Sequence, residues 1–178
     1  MQSLSPVTEI VEIPLQVTFA EFLRVFQLEL LPVLLKAKGT KTKSTDGLSH
    51  DCAVSLTEWE SLEAHAQFEK DPSSTRFFTT LERLARGPPI IDHYAFGDMR
   101  AVEDASSLRL SFWKSSAVPK ALLDGVKAES LDNAGLFCCC EAKGLNGKPT
   151  AQASIDSEAA RSFDVQWFSY ERKVMPHL

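Results

Sequence analysis

The sequence of 178 residues has no long apolar run and no excess of basic side chains. No stretch approaches the roughly 18 consecutive apolar residues of a membrane-spanning helix. Residues 1–9 lack a basic start followed by an apolar run, so we expect no secretory signal. The chain has 24 acidic against 19 basic side chains and a net charge of −5. Because nucleic-acid-binding proteins normally carry a basic face, we expect neither a nucleic acid nor a membrane as a partner.

Cysteine is also scarce, with four in the chain. Three of them, Cys138, Cys139 and Cys140, are consecutive. Neighbouring side chains on a strand point to opposite faces, which is poor geometry for a disulfide framework. No Cys-x-x-Cys pair suggests structural zinc. We therefore predict buried free thiols and a cytoplasmic protein, since the C-terminal Pro176-His177-Leu178 only faintly resembles a peroxisomal tail.

The remaining composition, 44% apolar and 24% charged, is typical of a globular chain that forms one sizeable domain or two small ones. The first half predicts the order strand, helix, strand, strand, broken helix, strand. Thr18 is the expected cap of the first helix, and Pro32 should kink or restart it. Thr57 is the expected start of the second helix, with Glu60 completing a capping box, so that Trp59 would lie on this helix. The predicted strands are Val7–Val17, strand ends within Thr40–Ser49 that flank a turn at Asp46-Gly47, a short strand at Asp51–Leu56, and Ile90–Phe96. The second piece of the broken helix is predicted at Ser73–Ala85.

The second half of the sequence predicts a degenerate repeat of the same order of strands and helices. Its expected elements are a strand at Leu108–Trp113, a helix at Val118–Glu129, strands at Gly135–Lys143 and Thr150–Ile155, and a helix from Asp156 or Ser157 through Trp167. Helices that cover one face of antiparallel strands define an α+β fold. We predict a first unit at residues 1–100 and a second, degenerate unit at residues 101–178 that lacks a final strand.

The run Trp59 to Phe68 (WESLEAHAQF), followed by the strand Ile90–Phe96 (IIDHYAF), resembles a known pattern. An aromatic residue that ends a strand is followed by a serine or acidic residue, a glutamate-alanine pair and a further aromatic residue. This pattern is similar to that of the dimeric α+β barrel superfamily, and within it to the antibiotic-biosynthesis-monooxygenase-like proteins. The resemblance implies ferredoxin-like units that pair sheet to sheet into a barrel, with a ligand pocket between sheet and helices. Two fused units would form a pseudo-dimer, and we expect a homodimer of such chains.

The resemblance also implies a function. The superfamily includes cofactor-independent oxygenases, polyketide cyclases and isomerases. We expect a cofactor-free enzyme of secondary metabolism that acts on an aromatic or polyketide-like small molecule as a cyclase, isomerase, dehydratase or oxygenase. The alternative is a non-catalytic ligand-binding or stress-response module. An apolar cavity above about 300 Å³ with a histidine converging on it would favour the enzyme.

Candidate acid–base groups are few, because the sequence lacks a serine-hydrolase elbow, a phosphate loop and a dinucleotide fingerprint. The four histidines are therefore the natural candidates. His93 is the expected base, and Asp92 or Tyr94 would orient it. Strand alternation places His93 on one face of its strand and Asp92 with Tyr94 on the other, and either set could look into the pocket.

Other residues complete the expected site. His65 lies at the flank of a helix beside the pocket, and His50 begins a strand that could reach the same space. Trp59, Phe68 and Phe77 are the expected pocket walls. We expect no metal site, because the histidines are far apart in the sequence and no carboxylate falls at ligand spacing with them.

Overall fold

The structure, a computed structural model, describes residues 6–49, 52–96, 107–114, 126–142 and 161–170. Its strands are β1 (Val7–Pro14), β2 (Thr40–Ser49), β3 (Cys52–Trp59), β4 (Ile90–Tyr94), β5 (Ser107–Trp113), β6 (Val126–Glu129), β7 (Phe137–Ala142) and β8 (Arg161–Tyr170). Its helices are α1 (Phe19–Val25), a π-helical segment (Phe26–Leu30), α2 (Leu31–Leu34), α3 (Leu62–Lys70), a 3-10 turn (Pro72–Ser74) and α4 (Thr75–Leu84). No helix in these ranges is long and apolar enough to cross a membrane.

The eight strands form one sheet in the order β4-β1-β3-β2-β8-β5-β7-β6. The first four strands follow the ferredoxin-like order of fourth, first, third, second, and β8, β5, β7 and β6 repeat that order. Strands β2 and β8 join the two sets by antiparallel pairing between Ser44–Leu48 and Gln166–Tyr170. The α+β fold with two ferredoxin-like units, helices on one face and antiparallel strands is thus confirmed.

The two outer edges of this sheet meet within the same chain. Tyr94 at the end of β4 forms an antiparallel bridge with Ser130, which directly follows β6. The amide of Leu131 donates to the carbonyl oxygen of His93 at 2.8 Å. The sheet therefore closes into a barrel without a partner chain. A homodimer stays a prediction.

Two apolar layers lie on opposite sides of the sheet. The barrel interior takes side chains from both halves: Ile10, Val54, Leu56, Tyr94, Phe96, Leu108, Leu110, Phe112, Cys138 and Cys140. The outer layer packs the first-half strands against the helices, and its buried members include Val11, Ile13, Phe22, Phe26, Leu30, Leu34, Trp59, Phe68 and Leu84. Because successive side chains of a strand alternate, Ile10 enters the barrel while its neighbours Glu9 and Val11 face the helical layer.

The starts of α1 and α3 are set by side-chain caps. The Thr18 hydroxyl accepts a hydrogen bond from the Glu21 amide at 3.2 Å, which confirms the predicted cap. The Ser61 hydroxyl accepts from the Ala64 amide at 3.2 Å and begins α3. The predicted helix start at Thr57 with Glu60 is therefore wrong. Strand β3 continues to Trp59 because it pairs with β1 on one side and with β2 on the other.

Tertiary pairing also overrides the predicted turn at Asp46-Gly47. Both residues lie inside β2, where Asp46 pairs with Ser55 and Gly47 pairs with Val54. On its other edge β2 pairs with β8. A strand held on both sides keeps its extended backbone despite the turn-forming composition of this dipeptide.

The second half differs from its prediction in two described segments. Residues 126–129, the expected end of a helix, form β6, and residues 161–167, also expected to be helical, form most of β8. β8 is bonded to β2 and β5, so ladder pairing on both edges outweighs the helical spacing of its apolar residues. Because β8 takes the place in its set that β4 takes in the first, the expected absence of a final strand is wrong. The expected strand at Thr150–Ile155 lies outside the described residues, and the division at residue 100 stays a prediction.

Candidate active site between the sheet and the helices

The candidate site is a cavity of about 50 Å³ between the helical layer and strands β1, β3 and β4. Its walls are mainly aliphatic and aromatic, and its polar lining comes from Glu9, Ser55, Thr57, His65 and Glu69. The apolar lining consists of Val11, Ile13, Phe26, Leu30, Leu34, Trp59, Phe68, Phe77, Phe78, Leu81 and Ile91. The cavity thus places two ionisable side chains from the buried strand and helix, Glu9 and His65, beside apolar walls.

Glu9 is a buried acid in the middle of the sheet. It lies opposite Thr57 of β3 and opposite His93 of β4 in the strand register. Its Oε2 accepts a hydrogen bond from Trp59 Nε1 at 2.5 Å. Burial raises the pKa of the Glu9 carboxyl to about 7, although the Trp59 hydrogen bond acts to lower it. Glu9 is therefore mostly protonated below about pH 7 and half protonated near that pH.

His65 faces Glu9 from the first half of α3. Its Nε2 lies 3.6 Å from Glu9 Oε1 and 4.0 Å from Glu69 Oε1. The ring packs between the indole of Trp59 and the imidazole of His93, with centroid distances of 4.9 Å and 4.8 Å. Burial lowers the pKa of His65 to about 4, with a further decrease from His93 and an opposing effect of Asp132. The imidazole is therefore neutral at pH 7 and can accept a proton.

His93 stands behind His65 and connects it to a residue of the second half. His93 Nε2 lies 3.0 Å from His65 Nδ1, and His93 Nδ1 lies 2.8 Å from Asp132 Oδ2. An ionised carboxylate only accepts hydrogen bonds, so with Asp132 ionised the His93 proton lies on Nδ1. His93 Nε2 then accepts the Nδ1 proton of His65. The His65 Nε2 lone pair is consequently left on the side of Glu9, within the cavity lining.

Glu9, His65 and His93 are also the residues that could hold a metal ion. One ligand atom from each lies within 4.8 Å of the others. The separation of these residues along the sequence therefore did not indicate whether they could share a metal ion, since the fold brings both histidines and a carboxylate together. His65, however, turns Nδ1 towards His93 and Nε2 towards Glu9, and an imidazole binds a single ion through one nitrogen. An ion on all three residues would have to break the His65–His93 hydrogen bond, so this geometry suits proton transfer better.

The predicted site residues separate into four groups. Those in the lining of the cavity are His65, Trp59, Phe68 and Phe77, with Trp59 contributed by β3 and not by a helix. His93 is buried on the helix-facing side, behind His65. Tyr94 points into the barrel and stacks on Phe96 at 5.3 Å. His50 lies outside the described residues.

The prediction that Asp92 or Tyr94 orients His93 is corrected by the hydrogen bonds of the ring. Asp132 and His65 hold its two nitrogens. Asp92 instead accepts a hydrogen bond from Asn133 Nδ2 at 2.5 Å. The physical reason is strand alternation, which turns both Asp92 and Tyr94 away from the face that carries His93.

Sequence reasoning missed Glu9 and Asp132. For Glu9 a signal existed, because it lies within the apolar strand VTEIVEIP, where an acidic side chain at a buried position calls for an explanation. Asp132 carried no such signal. It belongs to a turn 39 residues beyond His93, and only the closure of the barrel brings the two together.

Comparison with known proteins supports the fold. No family model matches the sequence, and no curated protein matches it significantly. A candidate monooxygenase from Fusobacterium nucleatum superposes with a TM-score of 0.66 at 9% identity, covering 97% of this chain and 96% of that one. A candidate monooxygenase from Lactobacillus acidophilus gives 0.58 at 9% identity, covering 93% and 94%. SnoaB from Streptomyces nogalater, a cofactor-independent oxygenase, gives 0.42 at 18% identity, covering 49% and 90%.

The two full-length similarities span both sets of four strands. The chain has the same α+β barrel fold as these two structures, with both sets of four strands in a single polypeptide. Identity of 9% bears on the fold alone.

Proposed function

We propose that this protein is a cofactor-independent enzyme of secondary metabolism that acts on an enolisable aromatic or polyketide-like small molecule. The observation that carries the proposal is the pairing of Glu9 and His65 at one wall of an apolar cavity. Burial shifts the pKa values of the two groups in opposite directions. Groups whose environments separate their pKa values in this way are natural acid–base partners.

The roles follow from the protonation states. His65 Nε2, unprotonated at neutral pH, takes a proton from an acidic C–H or phenolic O–H group of the substrate. Protonated Glu9, 3.6 Å away, donates its proton to the carbonyl oxygen that gains charge. Removal of a C–H proton converts the substrate into an enol, while His65 becomes an imidazolium and Glu9 becomes a carboxylate. Cyclisation, isomerisation and dehydration can each proceed from that enol, and its carbanion form can react with dioxygen as co-substrate.

The size of the cavity limits what can bind without rearrangement. A volume of about 50 Å³ holds roughly one or two water molecules, whereas a cavity that takes benzene measures about 150 Å³. Ring binding therefore requires the aromatic wall to move. Phe77 and Phe78 are half-buried and meet edge to face at 5.4 Å, so they are the side chains whose displacement would open the space.

The same volume supports the second candidate function, a non-catalytic ligand-binding or stress-response module. It is well below the 300 Å³ that would favour a preformed substrate pocket. In that case the buried Glu9–His65 pair would only order the interface between α3 and the sheet.

Hydrogen–deuterium exchange at an acidic C–H group distinguishes the enzyme from the non-catalytic module, whatever the final product of the reaction is. A panel of enolisable aromatic ketones with one to three rings is incubated with the protein in D2O, and proton NMR follows exchange of the acidic C–H. An oxygen electrode records any uptake. The enzyme should accelerate exchange of at least one compound. Ring compounds that bind without exchange or oxygen uptake above the buffer rate would contradict the proposal and favour the module.

The matched variants are His65→Asn and Glu63→Gln. Asparagine places an amide N–H near the position of His65 Nδ1, so the hydrogen bond to His93 can persist while the base at Nε2 is lost. Exchange should fall to near the buffer rate, a loss of about 100-fold or more for a general base. Glu63 is exposed on the same helix, and its replacement should leave exchange unchanged.

A further inference from the structure

We propose that Asp132, His93 and His65 form a proton relay between the protein surface and the cavity, and that the second half of the chain supplies its outer end. The relay rests on the proposed function, since it serves the base assigned above. Its three members come from the turn after β6, from β4 and from α3. Hydrogen bonds of 2.8 Å and 3.0 Å join them in sequence.

The relay has one end at solvent and one at the cavity. The Asp132 side chain is 37% exposed, whereas the side chains of His93 and His65 are 8% and 9% exposed. His93 is not among the described residues that line the cavity, and its Nε2 lies 3.0 Å from Nδ1 of His65, which does line it. A proton taken up at His65 Nε2 therefore has a path to water that does not cross the apolar pocket.

The turn that carries Asp132 is ordered by its own hydrogen bonds. The Ser130 hydroxyl accepts from the amides of Asp132 and Asn133 at 3.2 Å and 3.0 Å. Gly135, at φ +80°, adopts a conformation that favours glycine, and its amide donates to Glu129 Oε1 at 2.9 Å. The hydrogen bonds within the turn therefore help to fix the position of the Asp132 carboxylate independently of its contact with His93.

The turn is also docked on β4. The His93 amide donates to Asp132 Oδ2 at 2.7 Å, and the Leu131 amide donates to the His93 carbonyl oxygen at 2.8 Å. Asn133 Nδ2 reaches Asp92 Oδ1. These contacts hold the backbone of His93 on the side where its ring meets Asp132. The second half, which supplies none of the described lining of the cavity, thus contributes to the site through this one carboxylate.

Proton movement along the relay balances at each bond. When His65 Nε2 gains a proton from the substrate, the Nδ1 proton of His65 passes to His93 Nε2. The Nδ1 proton of His93 passes to Asp132, which releases it to water. The positive charge therefore does not stay on His65, where burial disfavours it. The titratable groups that face His65 are Glu69 on its own helix α3, Glu9 on β1 and His93 on β4.

The variant Asp132→Asn separates proton transfer from a merely structural role. The asparagine oxygen can still accept from the His93 amide and from Nδ1–H, so the turn should stay docked, but it cannot take the proton. We expect kcat for exchange of the ketone that responds in the panel to fall by about 100-fold with KM nearly unchanged. The matched control is Glu129→Gln, which removes the same charge at the end of β6, next to the turn, and retains an acceptor for Gly135; it should leave kcat unchanged.

A measurement without substrate completes the test. In ¹⁵N-histidine NMR of the wild-type protein, His93 should show the tautomer protonated on Nδ1 and not on Nε2, and the opposite tautomer would overturn the relay. If His65→Asn abolishes exchange while Asp132→Asn retains it, the relay is wrong and the proposed function stands. If His65→Asn has no effect on exchange, the proposed function itself fails.

Discussion

Glu9 Oε1 lies 3.6 Å from His65 Nε2, and burial inverts the usual order of acidity of this pair. The pKa of Glu9 is raised to about 7 and that of His65 is lowered to about 4. Between these two values an uncharged carboxylic acid therefore faces an uncharged imidazole. In water the same two groups would be oppositely charged over most of that range. Glu9 and His65 are thus a neutral proton donor and a neutral proton acceptor, and they do not form a salt bridge.

Glu9→Gln should make the protein more stable at high pH relative to wild type. The Glu9 pKa rises from 4.5 unfolded to about 7 folded, so the folded state binds its proton more tightly. Wild-type stability due to this group is therefore fully present below pH 4.5 and is lost as pH rises to about 7. The variant has no carboxyl group at this position, so its free energy of unfolding should not show this decrease, which amounts to roughly 3 kcal/mol. Urea unfolding at pH 4.5, 6 and 8 would measure it, and a stability difference that does not change with pH would contradict the raised pKa.

His65→Asn should show the opposite dependence. The His65 pKa falls from 6.5 to about 4 on folding, so the unfolded state takes up the proton first. Wild-type stability due to this group is present above pH 6.5 and is lost as pH falls towards 4. As the pH falls from 6.5 towards 4, the free energy of unfolding of the variant should therefore increase relative to that of the wild type. The double variant with Glu9→Gln provides the control, because direct coupling between the two groups would appear as non-additivity.

How much of this site could be predicted from the sequence depends on how local each signal is. The cap at Thr18 and the strand that contains His93 depend on neighbouring residues, and both are predicted correctly. The sequence pattern places Trp59 on a helix because the capping pattern at Thr57 competes locally with strand β3. Only the pairing with β1 and β2, which the local pattern does not contain, decides the outcome.

The relay could not be predicted, for a related reason. The Asp132 turn reaches His93 only because the two edges of an eight-stranded sheet close on each other. The local pattern favours helices at residues 126–129 and 161–167. It therefore does not predict β6, whose end carries the turn, or β8, which joins the two halves of the sheet. The error in secondary structure thus conceals the site residue as well.

Trp59→Phe should raise the pKa of Glu9 above its already high value. The indole N–H donates to Oε2 at 2.5 Å and stabilises the charged carboxylate, while phenylalanine keeps an aromatic ring but has no donor. The buried acceptor left unsatisfied should also cost about 1–3 kcal/mol of stability. Carbon-13 NMR of glutamate-labelled protein, titrated between pH 5 and 9, measures the midpoint. A midpoint that stays near 7 would show that the Trp59 bond does not tune this acid.

Phe77→Ala should increase the affinity for one-ring ketones. Phe77 is half-buried and packs edge to face on Phe68 at 5.6 Å, so truncation enlarges the cavity from the helix side. A loss of about 1–3 kcal/mol of stability is expected from the removed apolar contacts. Isothermal titration with the panel compounds tests this, with Leu28→Ala as control because Leu28 is 67% exposed. Equal affinity in the wild type and both variants would place the ligand elsewhere.

Gly39→Ala should disturb the site from a distance by displacing α3. Gly39 has φ +83°, and a Cβ added there would lie 2.6 Å from the Cβ of Ala64, the residue before His65. Both the backbone conformation and the contact oppose a side chain, so a loss of about 1–3 kcal/mol is expected. Since the helix must shift to relieve the contact, the His65–His93 hydrogen bond should lengthen and ketone exchange should decline. Gly87→Ala, where an added Cβ meets nothing within 4 Å, is the control. Full stability and full exchange in Gly39→Ala would mean that the position of α3 against the loop is not fixed by this glycine.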